Sequence, residues 1–135
     1  MLRAVVAGPQ VVVCNTCRVP GGTRPGDNAQ RAGALMAKAL RHAQSADPAL
    51  AGISIEEMPC LFACGRSCVV QIRAPGRIGY ILGDFAPTAE AARAILTYAR
   101  FHAESAEGQV HYGDWPEAVK GHFIARIPPE GFIVT

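Results

Sequence analysis

From Gln10 to Cys14 the chain is mostly β-branched, with Val11, Val12 and Val13 in succession, and Asn15 closes the run. A short unbroken stretch of this kind predicts a strand. Residues 19–26 then carry Pro20, Gly21, Gly22, Pro25 and Gly26, which predicts a loop. Asp27 or Asn28 offers an N-cap. From there Ala32, Leu35, Met36, Ala39, Leu40 and Ala43 recur three and four residues apart. That spacing predicts an amphipathic helix of about five turns, broken at Asp47-Pro48. Ile53, Ile55 and Glu57 mark a second short strand.

Cys68 to Arg73 and Ile78 to Leu82 are both rich in strand-forming residues, and Pro75-Gly76 between them is a turn dipeptide. Together they predict an antiparallel hairpin. Thr88 can cap a second helix running to about Glu104, with Ala92, Ile95, Leu96 and Ala99 on one face. The tail from Ser105 to Thr135 is less periodic. Ala118 to Arg126 reads equally as a helical turn or a strand, and Trp115 and Phe123 are candidates to pin the tail down. The order strand, helix, strand, then strand, strand, helix gives an α/β fold with a mixed sheet. A helical connection of this length suits a parallel crossover between the first two strands. A βαβ unit followed by ββα is the thioredoxin arrangement, in which the loop after strand one and the loop before strand three lie near each other.

With 135 residues, half of them hydrophobic, the chain is expected to form one domain over residues 1–135, with 105–135 as a C-terminal extension packed on it. The net charge of +2 and pI near 8.4 are too mild to imply nucleic acid, and no Lys/Arg run argues otherwise. Lys38 and Lys120 are the only lysines. Met1 to Val13 lacks a signal-peptide layout, because Gly8-Pro9-Gln10 breaks its apolar part. No stretch approaches the roughly 20 apolar residues that span a bilayer. The expectation is a soluble, cytoplasmic protein with no membrane or nucleic-acid partner. Stable disulfides are disfavoured in that reducing compartment, so clustered cysteines read as metal ligands or redox groups.

The five cysteines fall in two tight groups. Cys14 and Cys17 form a C-x2-C directly after strand one; Cys60 and Cys64 form a C-x3-C, and Cys68 follows. The expected fold brings both groups to one end of the sheet. Thiolates gathered at one site repel one another unless a cation offsets them, so a metal accounts for the clustering. Four thiolates can hold zinc or an iron–sulfur cluster. A thioredoxin-type dithiol would use Cys14 and Cys17 alone and leave the other three without a role. Incidental buried cysteines are the plainest alternative.

The segment CLFACGRSCVVQIRAPGRIGYILGD, Cys60 to Asp84, resembles the second cluster-binding loop and hairpin of thioredoxin-like [2Fe–2S] ferredoxins. That group includes the ferredoxin-like peripheral subunit of respiratory complex I. Over roughly residues 10–130 the chain also resembles an uncharacterised bacterial family of predicted metal-binding proteins, found with cobalamin-biosynthesis and cobalt-handling genes. The resemblance lies in Cys14/Cys17, Cys60/Cys64/Cys68, Ala74-Pro75-Gly76 and the closing Ala125 to Pro129. It implies a [2Fe–2S] centre held by Cys14, Cys17, Cys60 and Cys64. The ferredoxins space their first pair more widely, and at the position of Cys68 they often carry a proline. Cys68 therefore stands as the reserve ligand in place of Cys17.

The function implied is one-electron transfer to a redox partner protein, in the setting of cobalamin or cobalt metabolism. The alternative is a zinc- or cobalt-binding protein or metallochaperone without a redox role. Thiol–disulfide exchange at Cys14 and Cys17 is a third class. Ferredoxins of this fold can form homodimers, and the sequence shows no interface. No acid–base pair or nucleophile constellation is visible, so no substrate turnover is expected. Backbone N–H groups of residues 61–67 are the expected donors to the sulfurs. Gly65 is expected to allow close backbone approach. Arg66 is expected either to add positive charge that favours a reduced cluster or to be an ordinary loop charge. His42, His102, His111 and His122 read as surface or packed histidines, and a separate cobalt site at His111 and His122 has no support in the pattern.

Overall fold

The computed structural model describes residues 1–18 and 31–135. Five strands form one mixed sheet: β1 (Gln10–Cys14), β2 (Ser54–Met58), β3 (Val70–Arg73), β4 (Gly79–Leu82) and β5 (Phe123–Ile127), in the order β2-β1-β3-β4-β5. β1 runs parallel to β2 and antiparallel to β3; β4 pairs antiparallel with both β3 and β5. β1 is buried at all five positions because it has a strand on each side and covered faces above and below. That is why it lacks the alternation of a half-exposed strand.

Among the described residues two helices complete the layer, α1 (Ala32–Ala46) and α2 (Ala89–Glu104), packed against each other and against β1. α1 turns Met36, Ala37 and Leu40 inward, and α2 turns Ala92, Ile95, Leu96 and Ala99 inward. Thr88 caps α2 as expected, its Oγ1 accepting the Ala91 N–H at 3.1 Å. α1 begins later than the sequence suggests. Arg31 is extended and stands at its N-cap, and the Gly33 N–H bonds outward to the Cys17 carbonyl at 3.0 Å. The caps expected at Asp27 or Asn28 lie outside the described residues. β3 and β4 also start one or two residues late. Cys68 N–H goes to Phe85 O at 3.0 Å, and Ile78 N–H goes to Glu107 O at 2.8 Å, so neither belongs to the hairpin ladder.

The tail resolves its ambiguity by being both things. Residues Glu117–Val119 form a 3-10 turn, and Phe123–Ile127 add the fifth strand. Trp115 and Phe123 do pin it: their rings lie 4.6 Å apart, and Phe123 also meets Tyr98 and Tyr80 edge-on at 5.3 and 5.4 Å. No helix among the described residues is long and apolar enough to cross a membrane.

Strand alternation splits the interior into two clusters. Val11, Val13, Val70, Ile72 and Cys68 join the core beneath the helices. Cys14, Cys17 and Val69 form a second cluster with Leu61, Ala63 and Ile81. Val69 lies beside Cys14, whose N–H reaches its carbonyl at 3.2 Å. Cys68 precedes β3 and packs with the helix-side core, yet lies near enough to Cys14 and Cys17 for their charges to act on one another.

Candidate metal centre

Cys14 is the last residue of β1 and Cys17 lies one short turn beyond. The turn is fixed from three directions. The Asn15 N–H donates to Met58 O at 3.0 Å, at the end of β2. The Ser67 hydroxyl donates to the Arg18 carbonyl. Gly33, in the first turn of α1, lies directly beneath: a Cβ there would overlap the Cys14 carbonyl oxygen and stand 2.9 Å from the Cys17 nitrogen. A glycine inside a helical pattern commonly marks such a close approach. That was the available signal for Gly33, a residue the reading of the cysteines passed over.

The second pair sits on the loop between β2 and β3. Cys60 and Phe62 both adopt left-handed backbone, with φ of 63° and 58°. Non-glycine residues rarely do so. A 3-10 turn then begins at Cys64. The segment after it is clamped by the β4–α2 connection. Asp84 N–H bonds to Arg66 O at 2.6 Å, and the Asp84 carboxylate pairs with Arg66 Nε and Nη2 at 2.7 and 2.6 Å. Gly83 leaves room for this: a Cβ there would meet Arg66 O at 2.5 Å and Ile124 Cδ1 at 2.6 Å. The peptide bond between Ser67 and Cys68 is cis.

The two loops meet. Leu61 and Ala63 pack on the Cys14–Cys17 cluster, and the Leu61 backbone is among the groups that lower the Cys14 thiol. Within each pair the sulfurs are in contact, 2.7 Å for Cys14–Cys17 and 3.6 Å for Cys60–Cys64. The pairs differ in exposure: Cys14 and Cys17 are buried, Cys60 is half-buried and Cys64 is exposed. Cys68 is also buried, but in the core on the helix side. The cysteines thus form two contacting pairs, with Cys68 buried near enough to Cys14 and Cys17 for their charges to act on one another.

Of the backbone donors expected over residues 61–67, Phe62 N–H reaches Cys60 at 3.3 Å and the Leu61 backbone acts on Cys14. Thr16 and Val69, outside that range, act on Cys14 and Cys17. A Cβ at Gly65 would meet no protein atom within 4 Å. Of the two roles expected for Arg66, the exposed loop charge is the one seen, and Asp84 offsets it. The histidines are engaged elsewhere. His42 is exposed, His102 Nε2 bonds to Ile78 O, His111 Nδ1 accepts the Gly113 N–H, and His122 Nδ1 donates to Gly83 O while its ring stacks on Phe85.

The thiols of each pair act on one another electrostatically. Burial would raise the Cys14 thiol, but hydrogen bonds from Cys17, Thr16 and Leu61 outweigh it and bring the thiol below its ordinary value. Burial, and then the Cys14 sulfur beside it, push Cys17 up to about 12. Hydrogen bonding to Cys60 and its charge raise Cys64. Burial, and then the charge of the nearby Cys14, carry Cys68 to about 11. Cys14 and Cys17 thus oppose double ionisation, as Cys60 and Cys64 do, and a bound cation removes that opposition.

An all-sulfur donor set in two pairs, with N–H groups aimed at the sulfurs, fits a two-iron cluster, which takes two thiolates on each iron. Among the described residues no three Cys, His, Asp or Glu side chains already gather around one point, so neither a single tetrahedral ion nor a cluster has a preformed site.

Residues 11–129 match the profile of the family DUF1636, described as a protein of unknown function. The chain belongs to that family. Its fold is shown by likeness to a thioredoxin-like [2Fe–2S] ferredoxin from Aquifex aeolicus, with TM-score 0.57 and 23% identity over 95% of this chain and 100% of the ferredoxin. A further structure, of the wild-type thioredoxin-like [2Fe–2S] ferredoxin from the same organism, matches at TM-score 0.44 and 28% identity, covering 61% of this chain and 77% of its own. No curated protein matches this member of DUF1636.

Proposed function

We propose that this chain is a [2Fe–2S] electron carrier whose cluster is held by Cys14 and Cys17 on one side and by Cys60 and Cys64 on the other. The observation that carries this reading is two contacting thiol pairs on remote loops, with Leu61 and Ala63 of the second loop packed on Cys14 and Cys17 of the first. The likeness to a ferredoxin of this fold supports it. When bound, the cluster supplies one-electron chemistry. The chain's own residues do the rest. Cys14 and Cys17 anchor the buried half on the sheet. The N–H groups of Thr16, Leu61, Phe62 and Val69 offset negative charge on the sulfurs, which tunes potential. Cys60 and Cys64 place the other half at the surface, where a redox partner protein can exchange electrons. Cys68 serves packing under the helices. A reductive step in cobalamin or cobalt metabolism is the proposed setting, on the family resemblance alone.

The test is chemical analysis of protein purified without oxygen from iron-supplied cells. A red-brown protein with iron and inorganic sulfide in equal amounts is expected. A colourless protein holding zinc and no sulfide would replace this reading with a single-ion site.

A further inference from the structure

We propose that Cys60 and Cys64 are a redox modification site. In the metal-free chain they close to an intramolecular disulfide on meeting a low-molecular-weight disulfide, while the other three thiols stay reduced. The proposal deepens the cluster reading, since it concerns two of the same ligands, but its chemistry stands on the cluster-free chain.

Three observations carry it. The Cys60 and Cys64 sulfurs are already at 3.6 Å, so the second thiol is in place to resolve a mixed disulfide formed at the first. The approach is open: Cys64 is exposed, nothing lies within 4 Å of where a Cβ on Gly65 would point, and Phe62 stands out at 96% exposure. The other thiols are sheltered, Cys14 at 1%, Cys17 at 5% and Cys68 at 1% exposure. Cys14 and Cys17 are closer still, at 2.7 Å. Closeness within a pair does not help until a reagent reaches one sulfur, and here the sheet, α1 and the Leu61–Ala63 segment stand in the way.

The exchange balances. The Cys64 thiolate attacks one sulfur of the small disulfide, forming a mixed disulfide and releasing one small thiol. The Cys60 thiolate then attacks the Cys64 sulfur, closing the protein disulfide and releasing the second small thiol. The protein pair loses two electrons and two protons, and the small disulfide gains both. An accessible thiol beside a resolving cysteine is the arrangement that keeps oxidation on its reversible rung, short of sulfinic acid. Two ligands are withdrawn, and metal loading waits for a dithiol reductant. Exposed disulfides of this kind are the labile ones, which suits a reducing compartment.

The experiment uses the full chain, stripped of metal by a chelator under reductant and then transferred without oxygen into oxidised glutathione. Remaining thiols are alkylated, first natively and then in guanidinium, and located by peptide mass mapping. The expected result is a Cys60–Cys64 disulfide, with Cys14, Cys17 and Cys68 alkylated only after denaturation. Cys60→Ser should convert the product into a lasting glutathione adduct on Cys64. A Cys14–Cys17 disulfide forming first, a lasting adduct in the unaltered chain, or equal reaction at all five thiols overturns the proposal. The iron and sulfide count reports separately on the cluster reading, so either can fail without the other.

Discussion

The two thiol pairs are made by different means. Cys14–Cys17 is built on regular structure: the end of a fully buried central strand, a turn bonded to Met58 at the end of β2, and a helix whose glycine touches its backbone. Cys60–Cys64 hangs on a loop with two left-handed residues, steadied by an ion pair and a handful of backbone bonds from the β4–α2 connection. The first half shares the stability of the core. The second is held by contacts that open locally at small cost. On the proposed reading the two have separate uses: an immobile seat for the redox centre, and an exposed edge for a partner.

The hardest blow falls on the seat. Gly33→Ala drives a methyl into the Cys14 carbonyl and the Cys17 nitrogen, both backbone atoms that cannot turn aside. It is expected to cost about 3 kcal/mol, as overpacking against a rigid neighbour does, and to abolish cluster loading. A urea midpoint unchanged from the parent would show that the helix and the turn are not tightly joined.

Gly83→Ala strikes the frame of the exposed half instead. Its methyl meets the Arg66 carbonyl at 2.5 Å, but on the other side only the end of the Ile124 side chain at 2.6 Å, which can rotate. The expected cost is smaller, about 2 kcal/mol. Its particular signature is faster native alkylation of Cys64 with Cys14 still sheltered. Equal loss of shelter at both would mean that the two halves are one unit.

Much of this was legible before the fold was known. β1 and the cap at Thr88 follow from β-branched runs and capping chemistry. The meeting of the two loops follows from strand order. Val11, Val13, Val70 and Ile72 on the helix-side face also follow from period-two alternation. β5 was not legible: Phe123–Ile127 follows a 3-10 turn and precedes Pro128-Pro129, and its burial depends on an aromatic cluster gathered from α2, β4 and the tail. The Arg66–Asp84 pair joins segments that no local pattern connects.

Cys68 sharpens the comparison further. Cys68→Ala removes a buried sulfur from the helix-side core and is expected to cost about 1 kcal/mol, leaving the visible spectrum as it was. Cys17→Ser should change that spectrum or prevent loading. If the Cys68 variant alters the spectrum and the Cys17 variant does not, the ligand set is Cys14, Cys60, Cys64 and Cys68.

The smallest effect is electrostatic and concerns Asp84. Hydrogen bonding to Arg66, assisted by its charge, holds the Asp84 carboxyl below its ordinary value of 3.8. Because folding lowers this midpoint, the stabilisation is complete above the unfolded value and disappears as pH falls through the folded one. An NMR titration of the Asp84 carboxyl should therefore show a midpoint below 3.8, drifting upward with added salt as the exposed pair is screened. On the loaded protein, charge sets the sign of the other readout. Asp84→Asn leaves Arg66 unopposed beside the Cys64 loop and should raise the reduction potential; Arg66→Gln leaves Asp84 unopposed and should lower it. The double variant should return near the parent value. If Asp84→Asn instead lowers the potential, the ion pair acts by loosening the loop and not through its charge. The exposed half would then be as mechanically sensitive as the buried one, and the contrast between the two would have to be given up.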